Sequence, residues 1–236
     1  MENLMQFSLP GPNRSLLARA LAEAASLTGW QALDTGEIQK AWRFYEIAKA
    51  AAREGENPAI LAHVTAEQTY ALLDSGRAED ALALVSYAHR QQAHRLPALL
   101  RSWLFAAEGE VCAALGDEQE TRRVLEEAAR RLPTGPEDLE LPFLMLNETH
   151  LARWRGHCLA RLGAREAVED LASALDGMQG AALGRAEAGL RVDLALALTA
   201  QGDVTEAQKH ARRAADLAGR TGSARQRARI AKLLAA

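Results

Sequence analysis

The sequence predicts an all-α fold, a solenoid of five helical hairpins closed by a terminal helix. Three observations carry that expectation. Five glycines (Gly36, Gly76, Gly116, Gly163 and Gly202) each stand in a short polar turn between two apolar, alanine-rich runs. The steps between them are 40, 40, 47 and 39 residues, a period in the range of tandem helical repeats. No stretch alternates apolar and polar residues in the way a half-buried strand does.

The elements follow in order along the chain. Residues 1–14 contain Leu9-Pro10-Gly11-Pro12-Asn13, which cannot continue a helix, so they are expected to form a flexible arm or linker. Ser15 is placed to cap a first long helix running to about Asp34. Breaks at Gly55–Pro58, Leu96-Pro97, Pro133–Pro142, Gly177–Gly184 and Gly219–Ser223 alternate with the glycine turns. Together they divide residues 15–236 into hairpins at about 15–55, 59–94, 97–132, 142–176 and 185–219, followed by a cap helix at 223–236. That last segment, SARQRARIAKLLAA, would cover the apolar edge that a repeat array leaves at its end.

Alignment of the repeats on their glycines brings out a finer pattern. Seven residues before each glycine stand Gly29, Thr69, Gly109, Gly156 and Ala195. Five after it stand Ala41, Ala81, Thr121, Val168 and Ala207, and twelve after it Ala48, Ala88, Ala128, Leu175 and Ala214. Small side chains at such positions let two helices approach to about 8–10 Å. This pattern resembles the tetratricopeptide repeat (TPR) family over most of the chain. The resemblance implies a right-handed superhelix whose concave face is lined by the first helix of each pair. The period near 40 exceeds the family's usual 34, and the fourth unit departs further, with Val168 and Leu175 where alanines are expected.

Composition narrows the function classes. The chain has 236 residues, 48% of them hydrophobic, and a net charge of −3 from 31 acidic and 28 basic residues. No global field therefore points to nucleic acid or a membrane. Cys112 and Cys158 sit among apolar residues within helical patterns, as reduced, buried thiols do. The first residues lack the basic start and apolar core of a secretory signal, and no run of about 18 apolar residues could span a bilayer. A cytoplasmic protein is expected. The basic cluster Arg212, Arg213, Arg220, Arg225, Arg227, Arg229 and Lys232 suits either phosphate contacts or the charged outer face of a cap helix.

Carried onto this chain, the concave positions fall on Trp30 and Asp34 in unit one, with Glu23 beside them. Units two and three contribute Tyr70 and Asp74, with His63, and then Trp103 and Glu110; unit four gives His150, Arg153, His157 and Arg161. Unit five gives Val192 and Leu196. The set is acidic and aromatic at first and basic further on, which suits an extended peptide held in aromatic pockets with opposite charge at its two ends. The alternative is that Trp30 and Trp103 are core between repeats and the charges are solvated helix faces. His150 and His157 lie seven apart with Arg153 between them, a poor arrangement for a metal, so neither metal nor cofactor is expected. A carboxylate held by Arg153 and Arg161 is the better use of that face.

No glycine-rich phosphate loop, GxSxG, HExxH or CxxC occurs, so an enzyme is not expected. The phrases LTGW, DTGEIQKAWRFYEIAKAAARE and LLDSGRAEDAL resemble the TPR region of helix-turn-helix (XRE-type) transcriptional regulators of high-GC Gram-positive bacteria. That resemblance implies a non-enzymatic sensor or protein-interaction domain with a protein or peptide ligand on its concave face. It implies contact with DNA only through a domain that this chain does not contain. The alternative is a structural adaptor or a homodimerisation module, favoured by the apolar run Leu139, Leu141, Phe143, Leu144, Met145 and Leu146, expected to be exposed after a loop.

Overall fold

The computed structural model describes residues 10–91, 96–134, 141, 144–178 and 184–235. Among these residues there are eleven helices and no strand. The helices are α1 (Pro12–Asp34), α2 (Ile38–Glu54), α3 (Pro58–Asp74), α4 (Ala78–Arg90), α5 (Ala98–Leu115), α6 (Glu118–Arg131), α7 (Glu148–Arg161), α8 (Ala167–Asp176), α9 (Gly184–Ala200), α10 (Val204–Thr221) and α11 (Ala224–Ala235). They pack as five antiparallel pairs, α1/α2 to α9/α10, with α11 after the last. The first helices of successive pairs, α1, α3, α5, α7 and α9, lie side by side as one inner row.

All five turns close in the same way. Each turn glycine takes positive φ, from +70° at Gly163 to +84° at Gly202. In each, the next residue's amide reaches back to a carbonyl five residues earlier, as Glu37 does to Ala32 and Asp203 to Leu198 at 2.8 and 3.0 Å. This is the Schellman closure, in which a left-handed residue after the helix satisfies its last carbonyls. At the other helix ends, Asn57, Asp117, Asn147 and Asp203 accept backbone amides of α3, α6, α7 and α10. The first helix starts earlier than Ser15. Pro12 opens it, the amides of Arg14 and Ser15 bond to the Gly11 carbonyl, and residues 12–14 are therefore helix. Proline suits this position because the first-turn amide has no intrahelical partner anyway.

The small residues before each turn serve the close crossing within each pair. A Cβ on Gly29 would lie 2.8 Å from the Tyr45 ring, one on Gly109 3.0 Å from Leu125, and one on Gly156 2.8 Å from Leu171. Thr69 and Ala195 are fully buried at the same place. In four units the partner helix buries the expected residues: Ala41 and Ala48, Ala81 and Ala88, Thr121 and Ala128, Ala207 and Ala214. The fourth unit obeys the same rule one residue earlier. Ala167 and Ala174 are buried there, whereas Val168 and Leu175 are only partly so. Its irregularity is a shortened register after Gly163, and the alanines have not been lost.

The apolar interior is divided at the junction of units three and four. One cluster runs from Ala22 through Val111 and takes in Leu141, Leu144, Leu146 and Leu151. A second joins α7 to α10 through Leu159, Leu171, Leu190 and Leu194. Ala113, Leu125 and Cys158 form a small separate cluster that meets the first through Trp154. The run expected to be an exposed apolar surface is thus core at Leu141, Leu144 and Leu146. Met145 is exposed, and Leu139 and Phe143 lie outside the described residues. Helix α11 does cover the last pair, Ile230 packing with Val192, Ala214 and Ala218. It also reaches α1, where a Cβ on Gly36 would meet Ala224 at 3.4 Å.

Candidate functional site

The inner row of helices brings the aromatic residues of the first three units to one place. Trp30 on α1 meets Tyr70 on α3 edge-on, with ring centroids 5.8 Å apart. Trp103 on α5 lies 4.5 Å from the His63 ring and 5.8 Å from Trp154 on α7. With Ile60, Leu27 and Leu144 these rings line an open cavity of about 850 Å³. Trp103 is therefore both buried between repeats and part of a cavity wall.

Three carboxyls line that cavity, the exposed Glu23 and two largely buried ones in contrasting states. Glu67 on α3 is largely buried, its side chain 12% exposed. It accepts a hydrogen bond from Ser26, and its Oε2 lies 3.8 Å from His63 Nδ1. Burial raises this acid to about 7, while the Ser26 hydroxyl opposes the rise. Burial likewise pushes His63 down to about 3, so the imidazole is neutral near pH 7 and does not balance Glu67. Glu110 on α5 is equally enclosed, and burial would raise it. Instead His157, then Arg225 and Arg161, hold it at about 2.

His157 is the centre of a buried ion network. Its Nε2 lies 3.3 Å from Glu110 Oε1 and its Nδ1 2.8 Å from Asp193 Oδ1. Burial works against the imidazolium, yet the two carboxylates raise its pKa above the ordinary histidine value. Asp193 also receives Arg229 of α11. Burial raises Asp193, but Arg229 and His157 outweigh it and hold the carboxyl well below the ordinary range. Trp154 Nε1 donates to Glu110 Oε2 at 3.1 Å, tying the network to the aromatic wall.

Helix α11 lies across the remaining concave residues. Arg225 Nε donates to both Asp74 oxygens, at 3.2 and 3.0 Å. Its guanidinium stands 5.8 Å from the Trp30 ring centre, 5.5 Å from that of Tyr70, and 3.9 Å from Glu110 Oε1. Ser223 donates to Asp34 Oδ1 at 2.6 Å, and Arg185 pairs with Asp34 Oδ2 at 2.7 Å. A second cavity of about 700 Å³, lined by Asp74, His157, Arg161, Val192 and Leu196, lies beyond Arg225. A third, of about 320 Å³, holds His150 and Arg153.

Nine of the ten sequence-derived positions line a cavity, divided among three. Trp30, Tyr70, Trp103 and Glu110 line the aromatic one. Asp74, Glu110, His157 and Arg161 line the second. His150 and Arg153 share the third with Glu110 and His157, and Asp34 binds Ser223 and Arg185. The expected separation of charge toward two ends is not seen. Glu110 from the acidic half and His157 from the basic half are in contact and neutralise each other. Sequence reading missed Glu67, Trp154, Asp193, Arg225 and Arg229 as members of the site. Helical spacing held a signal for some of them, since Glu67 is one turn before Tyr70 and Asp193 one turn before Ala197 on the inner row.

Comparison with solved structures agrees with this architecture. A single-residue variant of a kinesin light chain-like protein from Podosopora anserina, with nearly identical TPR-like repeats, aligns over 90% of this chain and 99% of its own, at 19% identity and a TM-score of 0.50. The chain folds as a TPR-like helical repeat solenoid. A second structure of that protein aligns over 88% of this chain and 97% of its own, at 19% identity and a TM-score of 0.49. No protein-family model and no curated protein matches the sequence. Among the described residues no helix of the TPR-like array is long and apolar enough to cross a membrane, and no group of three metal-type ligands converges.

Proposed function

We propose that this chain is a non-enzymatic, TPR-like interaction domain that binds a peptide or small ligand on its concave face and acts as a sensor. The observation that carries the proposal is the aromatic cavity of about 850 Å³ between α1, α3, α5 and α7. Its size is that of sites which enclose small ligands or peptide side chains. It combines apolar walls with a few fixed polar groups, the usual division between affinity and orientation. The sequence likeness to the repeat region of XRE-type regulators supports the sensor role, with DNA reached only through a separate domain. Of the run that favoured an adaptor, Leu141, Leu144 and Leu146 are buried and Met145 is exposed.

The test is a thermal-shift screen of random-sequence peptides and small metabolites, with hits passed to calorimetry. Each hit is compared on wild type, Trp30→Ala, Tyr70→Phe and Arg43→Ala, the last exposed on α2. Affinity should fall several-fold in the two aromatic variants and hold in Arg43→Ala. Hits that bind all four proteins equally would place the ligand off the concave face.

A further inference from the structure

The aromatic cavity has an unbalanced charge at its wall. Of the two carboxyls largely buried there, Glu110 is answered by His157 and Arg225. Among the described residues Glu67 accepts a hydrogen bond from Ser26 and lies beside the neutral His63 ring, and no arginine or lysine pairs with it. Around these acids stand the rings of Trp30, Tyr70, Trp103 and Trp154. The faces of such rings attract cations within about 6 Å of the ring centre. The chain already shows this chemistry, since Arg225 lies within that distance of both Trp30 and Tyr70.

We propose that the cavity is a binding site for an apolar organic cation, whose ammonium or guanidinium rests among the aromatic walls with Glu67 as its counter-ion. The inference rests on the concave-face reading above and adds the charge and chemical class of the ligand. An apolar body fills the space between Ile60, Leu27, Leu144 and the tryptophans, and the cationic end supplies the charge that Glu67 lacks. A ligand anion would meet Glu110 and Glu67 and find one cation, Arg225, which Asp74 and Glu110 already hold. The cavity therefore selects by charge as well as by shape.

Recognition is coupled to a proton. The groups facing Glu67 are Glu23 on α1, Tyr45 on α2, His63 and Tyr70 on its own helix, Glu110 on α5 and Arg225 on α11. Burial raises Glu67 to about 7, so half of the empty sites carry the proton at that pH. A cation beside the carboxyl favours its ionised form and expels that proton. Binding of a permanently charged ligand then weakens by about tenfold between pH 8 and pH 6.

Isothermal calorimetry with 4-phenylbutylamine, the neutral 4-phenylbutanol and the anionic 4-phenylbutyrate tests this on the full chain. The amine should bind best, about tenfold more tightly at pH 8 than at pH 6, with a heat that varies with buffer ionisation enthalpy as a released proton requires. Glu67→Gln should weaken the amine by roughly tenfold at pH 8 and abolish its pH dependence. Trp30→Ala, at a half-exposed position, should weaken it several-fold while the pH dependence persists. Tryptophyl-arginine amide, run beside the amine, distinguishes a peptide side chain from a free small amine as the source of the cation, and preferential binding of either supports the inference. Equal binding of alcohol and amine, or preference for the carboxylate, overturns the cation assignment and leaves the concave cavity as a ligand site. Binding of all probes unaffected by both variants overturns the assignment and the concave-face reading together.

Discussion

Glu67→Gln examines the buried carboxyl through stability, with no ligand involved. Burial places Glu67 at about 7 in the folded chain against an ordinary 4.5, so the folded state holds its proton more tightly than the unfolded chain. Below 4.5 both states are protonated and the group contributes no difference. As pH rises from 4.5 to 7 the unfolded chain ionises first, and stability falls by about 1.4 kcal/mol per pH unit. Above 7 the loss is complete at about 3 kcal/mol. Glutamine keeps the shape and an acceptor for Ser26 but cannot ionise. Urea titrations at pH 5, 6, 7 and 8 should therefore show the variant gaining on wild type as pH rises, from a small difference at pH 5 to about 3 kcal/mol at pH 8. The other pH-sensitive groups are common to both proteins. Glu110, held at about 2, contributes stability that is lost only as pH falls through that value. His157, raised above 6.5, contributes stability that is complete below 6.5 and lost as pH rises through its folded value. A difference that stays constant from pH 5 to pH 8 would refute the placement of Glu67 as a buried acid without a cation.

Five further substitutions probe the array itself by urea denaturation. Gly156→Ala drives a Cβ to 2.8 Å from two carbons of Leu171 and should cost about 1–3 kcal/mol despite the better helix propensity of alanine. Gly76→Ala has nothing within 4 Å, so only its φ of +74° opposes it, and a cost of about 1 kcal/mol is expected. Ala167→Leu should destabilise by about 1–3 kcal/mol, whereas Val168→Ala, partly buried next to it, should change less. The reverse order would show that the fourth unit keeps the register of the others. Asp193→Ala strands Arg229 and His157 in the interior, a loss of about 3–5 kcal/mol, and amide exchange across residues 224–235 should speed up with it.

Most of the repeat was legible because backbone chemistry dictates it. Only glycine serves cheaply in the left-handed residue that ends each first helix, and only small residues allow the crossing behind it. Those demands recur at fixed places, so Gly36, Gly76, Gly116 and Gly202 announce their units along with the buried residues four and eleven places into the pattern's second helix. Unit four was misread for a local reason. Counting from Gly163 assumes a turn of fixed length, and a one-residue shortening moves every later position, so Val168 and Leu175 stood where Ala167 and Ala174 belonged. The concave face was legible as a set of first-helix positions, because the inner row has helical spacing. Its partition was not, since contacts such as Ser223 with Asp34 or Arg225 with Asp74 join residues 189 and 151 apart. Nothing local in SARQRARIAKLLAA distinguishes an outward-facing basic cap from one that turns two arginines into the groove.

That turn inward shapes what binding can do. A helix needed only as a cap would require its Ile230 face against Val192, Ala214 and Ala218. Arg225 and Arg229, one helical turn apart, instead reach carboxylates on three separate inner helices, Asp74 on α3, Glu110 on α5 and Asp193 on α9. Burying such charges is costly unless each is paired, so α11 sits where the charge register allows and has few alternative seats. Glu110 and Arg225 line both larger cavities, which makes this pair the wall between them. A ligand shifts a conformational balance only through a difference in its affinity for the two states. A cation held at Glu67 that leaves Arg225 on Asp74 and Glu110 binds with α11 docked and transmits nothing. One whose charge also reaches Glu110 competes with Arg225 for that carboxylate and favours release of α11 from α1. Hydrogen exchange across residues 224–235 therefore separates the two: unchanged protection on saturation means a holding site, and lost protection means that the wall at Glu110 and Arg225 is the transmitting element.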